Sequence, residues 1–282
     1  MRWQGKYKRR GKLQRAHTVL GYGSNSTPDA MIEVDSLYKS FEGQDVLKGI
    51  NATFDNGKTN LIIGKSGAGK TVLLKCIVGL LTPEKGTITY DGRNIMSLGK
   101  EEKLLMRQEM GMLFQNAALF DSMSVLENVM FPLDMFSSLT YNERLKRART
   151  CLERVNLLEA QDKSPEELSG GMQKRAAIAR AIAMKPKYLF CDEPNSGLDP
   201  QTSLIIDELI HGITEEYGIT TIVNTHDMNS VMNIGDHILF LSDGELSWKG
   251  NKSEILNTDN QKLNDFLFSS EILRQVKNMG DK

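Results

Sequence analysis

Gly64-Lys65-Ser66-Gly67-Ala68-Gly69-Lys70-Thr71 stands between two readable segments. Before it runs the apolar Asn60-Leu61-Ile62-Ile63; after it, Thr71 to Leu81 reads as a helix that Thr82-Pro83-Glu84-Lys85-Gly86 stops. A strand, a glycine-rich turn and a helix in that order make a phosphate-binding loop. Gly64, Gly67 and Gly69 let backbone N–H groups turn inward on phosphate oxygens with no side chain in the way. The helix starting near Lys70 adds the positive end of its dipole. Lys70 would reach the β- and γ-phosphates and the Thr71 hydroxyl would hold Mg2+, with Lys65, Ser66 and Ala68 completing the cradle.

Outward from this loop the chain alternates. Met31 to Val34, Val46 to Phe54 and Thr87 to Tyr90 read as strands without helices between them, with Asp91-Gly92 as a turn. Later strands, Tyr188 to Cys191, Thr220 to Asn224 and His237 to Leu241, are separated by helical stretches such as Ala176 to Met184 and Ser203 to Tyr217. The expected fold is α/β, with a mostly parallel core sheet, an N-terminal antiparallel layer and a helical lobe at about residues 116–180. One domain over residues 31–275 is expected, with 276–282 as a C-terminal tail.

The 282 residues are 40% apolar and 25% charged, an ordinary globular composition. No run reaches the roughly 18 uncharged apolar residues of a membrane span, and the start lacks the apolar core of a secretory signal, so the chain is expected in the cytosol. Cys76, Cys151 and Cys191 are widely spaced and lack CxxC spacing, which reads as three reduced, mostly buried thiols. The net charge of −1 hides an asymmetry. Residues 1–30 hold seven Lys/Arg and one acid, leaving 28 basic and 35 acidic residues, a net charge of −7, in the remainder. A mildly acidic body argues against nucleic acid as a partner. Residues 1–30 read as an over-extended start or a disordered tail, with a basic arm on anionic lipid or RNA as the third reading.

Asp192 closes the apolar run Tyr188-Leu189-Phe190-Cys191, a pattern of a strand buried on both faces. A carboxylate at that edge can face the glycine-rich loop and bind Mg2+. Glu193, next along, would polarise an attacking water.

With Leu168-Ser169-Gly170-Gly171-Met172-Gln173 added, the chain resembles the ATP-binding-cassette (ABC) ATPases over about residues 31–270. The resemblance implies that two copies clamp ATP between them. Ser169, Gly170 and Gly171 would then complete the partner's site at a helix N-terminus. It also implies that Gln115, in Leu113-Phe114-Gln115-Asn116, senses nucleotide and contributes to the metal site. Asp199, in Ser196-Gly197-Leu198-Asp199, would cross the dimer interface, His226 would contact the γ-phosphate, and Phe41 would stack on adenine, with Tyr38 as the competing aromatic.

Within the family, Phe114-Gln115-Asn116-Ala117-Ala118-Leu119-Phe120-Asp121-Ser122-Met123 and Gly170-Gly171-Met172-Gln173-Lys174-Arg175 resemble the lipid-asymmetry (Mla) ATPases that work with MCE proteins. That resemblance implies a phospholipid transporter. Its partners would be an Mla-type integral permease and an MCE-domain substrate-binding protein, with room for a small regulatory subunit, and its place the inner face of the cell membrane. The alternatives are another lipid or lipoprotein exporter, or a cell-division-type regulatory ATPase that moves no substrate. Phe120, Met123, Met130, Phe131, Met135 and Phe136 follow the Gln115 segment. Half or more of them are expected in the core of the helical lobe, and the rest in a groove for a permease helix.

Overall fold

The computed structural model describes residues 31–267. The expectations for residues 1–30, for 276–282 and for the last part of the cassette lie outside the described residues.

Two sheets form the body. The first is antiparallel, in the order β2-β1-β4-β5, from β1 (Ile32–Phe41), β2 (Gln44–Phe54), β4 (Lys85–Tyr90) and β5 (Arg93–Asn94). Glu42 and Gly43, both at positive φ, make the tight β1–β2 turn, a geometry that matches strand twist. The second sheet has the order β10-β9-β3-β8-β7-β6. Its members are β3 (Thr59–Ile63), β6 (Met110–Leu113), β7 (Tyr188–Asp192), β8 (Thr220–Thr225), β9 (His237–Ser242) and β10 (Glu245–Gly250). Every pairing is parallel except that of β9 with β10.

Strand alternation divides the core in two. Ile62, Tyr188, Phe190, Ile222, Leu239 and Leu241 meet the antiparallel sheet and helix α1 (Lys70–Ile77). Leu61, Ile63, Leu189, Cys191, Val223, Ile238 and Phe240 face the opposite way. There they meet α3 (Val125–Phe136), α4 (Tyr141–Arg154), α5 (Gly170–Ile182), α6 (Pro200–Tyr217), α7 (Met228–Ile234) and α9 (Gln261–Leu267). Every residue of β3, β7 and β8 is buried, as both-face coverage requires. All three cysteines are buried and free. Two short helices, α2 (Lys100–Gln108) and α8 (Lys252–Ile255), complete the elements the argument needs.

Helices α3, α4 and α5, between Val125 and Ile182, pack on one another. Side chains of this region depart from expectation. Only Met130 of the six Met and Phe side chains is buried; Phe120, Met135 and Phe136 are exposed. What orders the segment before α3 is instead a polar residue. Asn128 is fully buried and its amide oxygen accepts from Phe120 N at 2.8 Å. Its amide nitrogen donates to the carbonyls of Phe120, Met123 and Ser124. Ser124 and Glu127 close the start of α3 as a capping box. Asn128→Ala leaves a backbone donor and several acceptors unpaired in the interior, and is expected to cost about 2–3 kcal/mol. Urea unfolding followed by circular dichroism measures this, and wild-type stability in the variant would contradict it.

Candidate functional site

The loop leaving β3 turns on Gly64, where a Cβ would lie 2.3 Å from the Leu241 carbonyl oxygen. Gly67, at φ +83, has open space around it, as a backbone that must approach a ligand requires. Gly69 caps α1, so Lys70 and Thr71 open the helix with their N–H groups toward the loop. Lys70 is buried and curls back over the loop, donating to Gly64 O at 2.9 Å and Lys65 O at 3.3 Å. Its ammonium also lies 3.6 Å from Glu193 Oε1.

Thr71 and Asp192 meet across the sheet edge. The Thr71 hydroxyl donates to Asp192 Oδ1 at 3.1 Å, and Asn224 Nδ2 donates to the same oxygen at 3.1 Å. Asn224 is buried in β8, opposite Asp192 in the ladder. The Thr71 hydroxyl, the Asp192 carboxylate and a side-chain carbonyl from Gln115 are hard oxygen donors, a set that fits Mg2+. Bound there, the ion would supply positive charge that neutralises the negative charge of a phosphate.

Glu193 is held differently. It sits at φ +48, a left-handed conformation that costs a non-glycine residue of order 1–3 kcal/mol. Its N–H donates to Asn224 O at 3.0 Å and its Oε2 lies 2.8 Å from His226 Nδ1. His226, just past the end of β8, is largely exposed. A carboxylate touching an exposed imidazole on one side and a buried ammonium on the other can orient water beside a phosphate and exchange contacts as that phosphate arrives.

Gln115 Nε2 donates to Ser196 Oγ at 3.1 Å, which ties it to the segment leading to Asp199. Its backbone carbonyl accepts from the buried Lys174 ammonium of α5, whose pKa desolvation lowers. Arg180, on the same helix, donates to Ala118 O at 2.7 Å and Ala117 O at 2.8 Å. The Gln115 segment is therefore clamped by two cations of the helix that carries Gly170 and Gly171. The sequence reading gave Lys174 and Arg180 no role of their own, because a basic residue at helical spacing ordinarily marks a solvated face.

A cleft of about 770 Å3 gathers Lys65, Ser66, Gly67, Gly69, Lys70, Thr71, Gln115, Glu193 and His226, with Val46 and Phe266 on its walls. The volume suits a nucleotide-sized ligand. Phe41 does not line it. It stands 43% exposed at the β1–β2 turn, opposite Gln44, with the Lys39 ammonium 5.1 Å from its ring. Tyr38 pairs with the Lys85 ammonium instead.

Ser169, Gly170 and Gly171 are likewise apart from the cleft. Ser169 caps α5, accepting from Met172 N at 3.3 Å. Gly171 packs so closely on α6 that a Cβ would lie 2.5 Å from Thr202 Cγ2. Asp199 caps α6, accepting from Gln201 N and Thr202 N at 3.0 Å. The Thr202 hydroxyl, donating at 2.6 Å, holds the Asp199 carboxyl below its ordinary pKa. The Ser169 motif and the Asp199 loop thus form one exposed corner, oriented by each other and separate from the cleft of the same chain.

The sequence model of the family described as ABC transporter matches residues 47–196, more than half of the chain. The chain belongs to the ABC transporter ATP-binding family. It is an ATPase subunit of a transporter, with the cassette fold of that family. MlaF of Haemophilus influenzae, an intermembrane phospholipid transport system ATP-binding protein, is 38% identical over 237 residues, 84% of this chain and 90% of MlaF. MetN of Legionella pneumophila (strain Lens), a methionine import ATP-binding protein, is 38% identical over 227 residues, 80% of this chain. The chain spans 66% of that MetN, less than two thirds of its length. Among solved structures, the dimeric cassette MJ0796 in a post-hydrolysis state bound to ADP and Pi aligns with a TM-score of 0.72 at 33% identity, over 78% of this chain and 98% of that one. Among the described residues, no helix is long and apolar enough to cross a membrane.

Glu193→Gln keeps the size and hydrogen-bonding reach of the side chain but removes its basicity. It is expected to leave ATP affinity within about threefold of wild type while lowering kcat by roughly 10²–10⁴-fold, the usual contribution of a general base. Fluorescent-nucleotide titration and phosphate release read the two quantities separately, and near-normal turnover would overturn the role given to Glu193.

Proposed function

We propose that this chain powers a phospholipid-type transporter as a homodimer, in which each ATP lies between the cleft of one copy and the Ser169–Gly171 corner of the other. The reading rests first on geometry. One chain gathers Lys70, Thr71, Gln115, Glu193 and His226 around a cleft, with Asp192 bonded to Thr71, yet Ser169, Gly170 and Gly171 do not line it. A helix N-terminus with exposed Ser169 and Gly170 is an anion site seeking a ligand from outside the chain. The solved cassette MJ0796 is dimeric and bound to ADP and Pi, which supports a nucleotide-bound dimer.

In that dimer Lys70 would leave the loop carbonyls for the β- and γ-phosphates. Thr71, Asp192 and Gln115 would hold Mg2+. Glu193 would accept a proton from the attacking water, with His226 on the γ-phosphate side and Asp199 crossing to the second copy. Catalysis is then positioning plus charge stabilisation of the transferred phosphoryl group. The helical lobe, tied to Gln115 through Lys174 and Arg180, would report the γ-phosphate to the transporter's membrane subunit.

Phospholipid as the substrate is favoured by coverage. MetN matches at the same 38% identity, but the match reaches 90% of MlaF against 66% of MetN. The Met172 signature and the Ala117-to-Met123 run agree with the Mla pattern. The partners proposed are an Mla-type integral permease and an MCE-domain protein, with the chain on the cytoplasmic face of the membrane and one cassette beginning near residue 31.

The permease contact is placed in a groove of about 310 Å3 between the core sheet and the helical lobe, lined by Met112, Phe114, Phe120, Phe131, Pro132 and Met184. Phe120 and Phe131 pack at 4.7 Å between centroids at its edge. Soft, partly exposed side chains of this kind suit the apolar face of a short helix. A mild-detergent pull-down of the tagged chain from its own membranes, with protein and lipid mass spectrometry, is expected to yield a polytopic permease, an MCE-domain protein and phospholipid. Recovery of a cell-division-type membrane partner, or of no permease, would overturn the transport assignment. Phe120→Asp is expected to abolish permease recovery while ATP binding persists; intact assembly in that variant would refute the groove.

A further inference from the structure

Among the buried polar side chains, one cluster lies outside the lining of the cleft. Asp207 on α6 is 1% exposed among Ile206, Ile210, Ile213, Val231 and Ile234, all almost completely buried. Asn195 Nδ2 donates to Asp207 Oδ1 at 2.7 Å and approaches Ser230 Oγ at 3.0 Å. Ser230 lies in α7 and is 1% exposed. Asp207 Oδ1 and Ser230 Oγ thus share the Asn195 amide nitrogen as donor.

A carboxylate in an apolar interior is costly unless it does something that a packed aliphatic would not. Burial raises the Asp207 carboxyl to about 6, opposed by Ser230 and Asn195 beside it and reinforced by the charge of Asp227 at the start of α7. For an acid with a raised folded pKa, the ionised form opposes folding above that pKa, and the penalty fades as pH falls through about 6 toward the unfolded value. Asp207 therefore does not contribute stability through its charge at neutral pH.

Its two partners indicate a different use. Asn195 is two residues past Glu193, joined to it by Pro194, and Ser230 is four residues past His226. Glu193 sits in a left-handed conformation, and such strain persists only where the surroundings over-determine it. On the upstream side the Glu193 N–H is fixed to Asn224 O. On the downstream side, past the rigid proline, the first side-chain anchor is Asn195 on Asp207.

We infer that Asp207 is a positioning residue for ATP hydrolysis, holding the Glu193 turn and the helix after His226 in one register through Asn195 and Ser230. This rests on the role given above to Glu193. Asp207 does not line the cleft and sets the 2.8 Å spacing of Glu193 and His226 from behind.

The test is steady-state ATP hydrolysis by the full chain carrying Asp207→Ala, Asp207→Asn or Ser230→Ala, with melting temperatures recorded alongside. Misplacing a catalytic group by a fraction of an ångström is expected to lower kcat about tenfold in Asp207→Ala with KM for ATP unchanged. Asp207→Asn is expected to recover kcat to within about threefold, because an amide oxygen accepts the same bond. Ser230→Ala, which removes a single oxygen and keeps the fold, is expected to lower kcat about threefold at constant KM. In a Glu193→Gln background Asp207→Ala should lower the residual rate no further, since it acts through Glu193. Unchanged kcat in both Asp207→Ala and Ser230→Ala, failure of asparagine to rescue, or additive loss in the double variant would overturn the inference. Normal turnover by Glu193→Gln alone would instead remove the reading on which it rests.

Discussion

The site depends on one close approach, that of the Leu241 carbonyl in β9 to the backbone at Gly64. No side chain fits at that point, so the chain can leave β3 and fold directly over its own C-terminal edge. β3 lies between β8 and β9, with Ile63 level with Thr225 and Phe240. The next ladder pairs Asp192 with Asn224. The parallel registers therefore deliver the loop, Asp192, Glu193 and His226 to one edge of the sheet, the carboxyl edge at which open α/β sheets bind ligands. Thr71 and Asp192 meet at 3.1 Å because two strands end in step, with no long loop involved.

Burial on both faces keeps that edge rigid. One face of the core sheet is sealed by the antiparallel layer and α1, the other by the helices from α3 onward. Between the sealed sheet and the helical lobe runs the segment at Gln115, which has no regular structure and depends on side chains for its order. Lys174 and Arg180 clamp its carbonyls from α5, and Asn128 organises its continuation from α3. Ala117 and Ala118 both take positive φ there. A strained connection held by polar bonds is the part of the molecule best suited to change shape when a phosphate arrives.

Much of this was legible in the sequence. The apolar runs at Asn60, Tyr188, Thr220 and His237 are strands because full burial makes them continuous rather than alternating, and glycine and proline mark their ends. The loop, Asp192, Glu193 and His226 fall where their spacing from those strands places them. β6 and β10 escaped notice because Met110–Leu113 and Glu245–Gly250 are short edge strands carrying glycine or charge, which weakens the pattern. The helix at Thr71 ends at Ile77, earlier than its apolar pattern, because Gly79 takes a left-handed turn. Half or more of the Met and Phe side chains after Gln115 were expected in the core, yet only Met130 is buried, since apolar composition does not distinguish a packed face from a docking face. Asn195, Asp207 and Ser230 gave no local signal, because their association depends on three elements far apart in sequence.

The central claim is that the Ser169 corner of one copy completes the cleft of another. Subunit complementation tests it most directly. Lys70→Ala disables the loop of its own cleft, and Ser169→Arg disables the corner offered to a partner. Each homodimer is inactive, but a mixed dimer contains one site with an intact Lys70 facing an intact Ser169. Recovery of ATP-dependent association and of ATP hydrolysis on mixing the two variants is the expected result. Absence of both on mixing, or hydrolysis by the Ser169→Arg chain alone at the wild-type rate, would contradict a site shared between two copies.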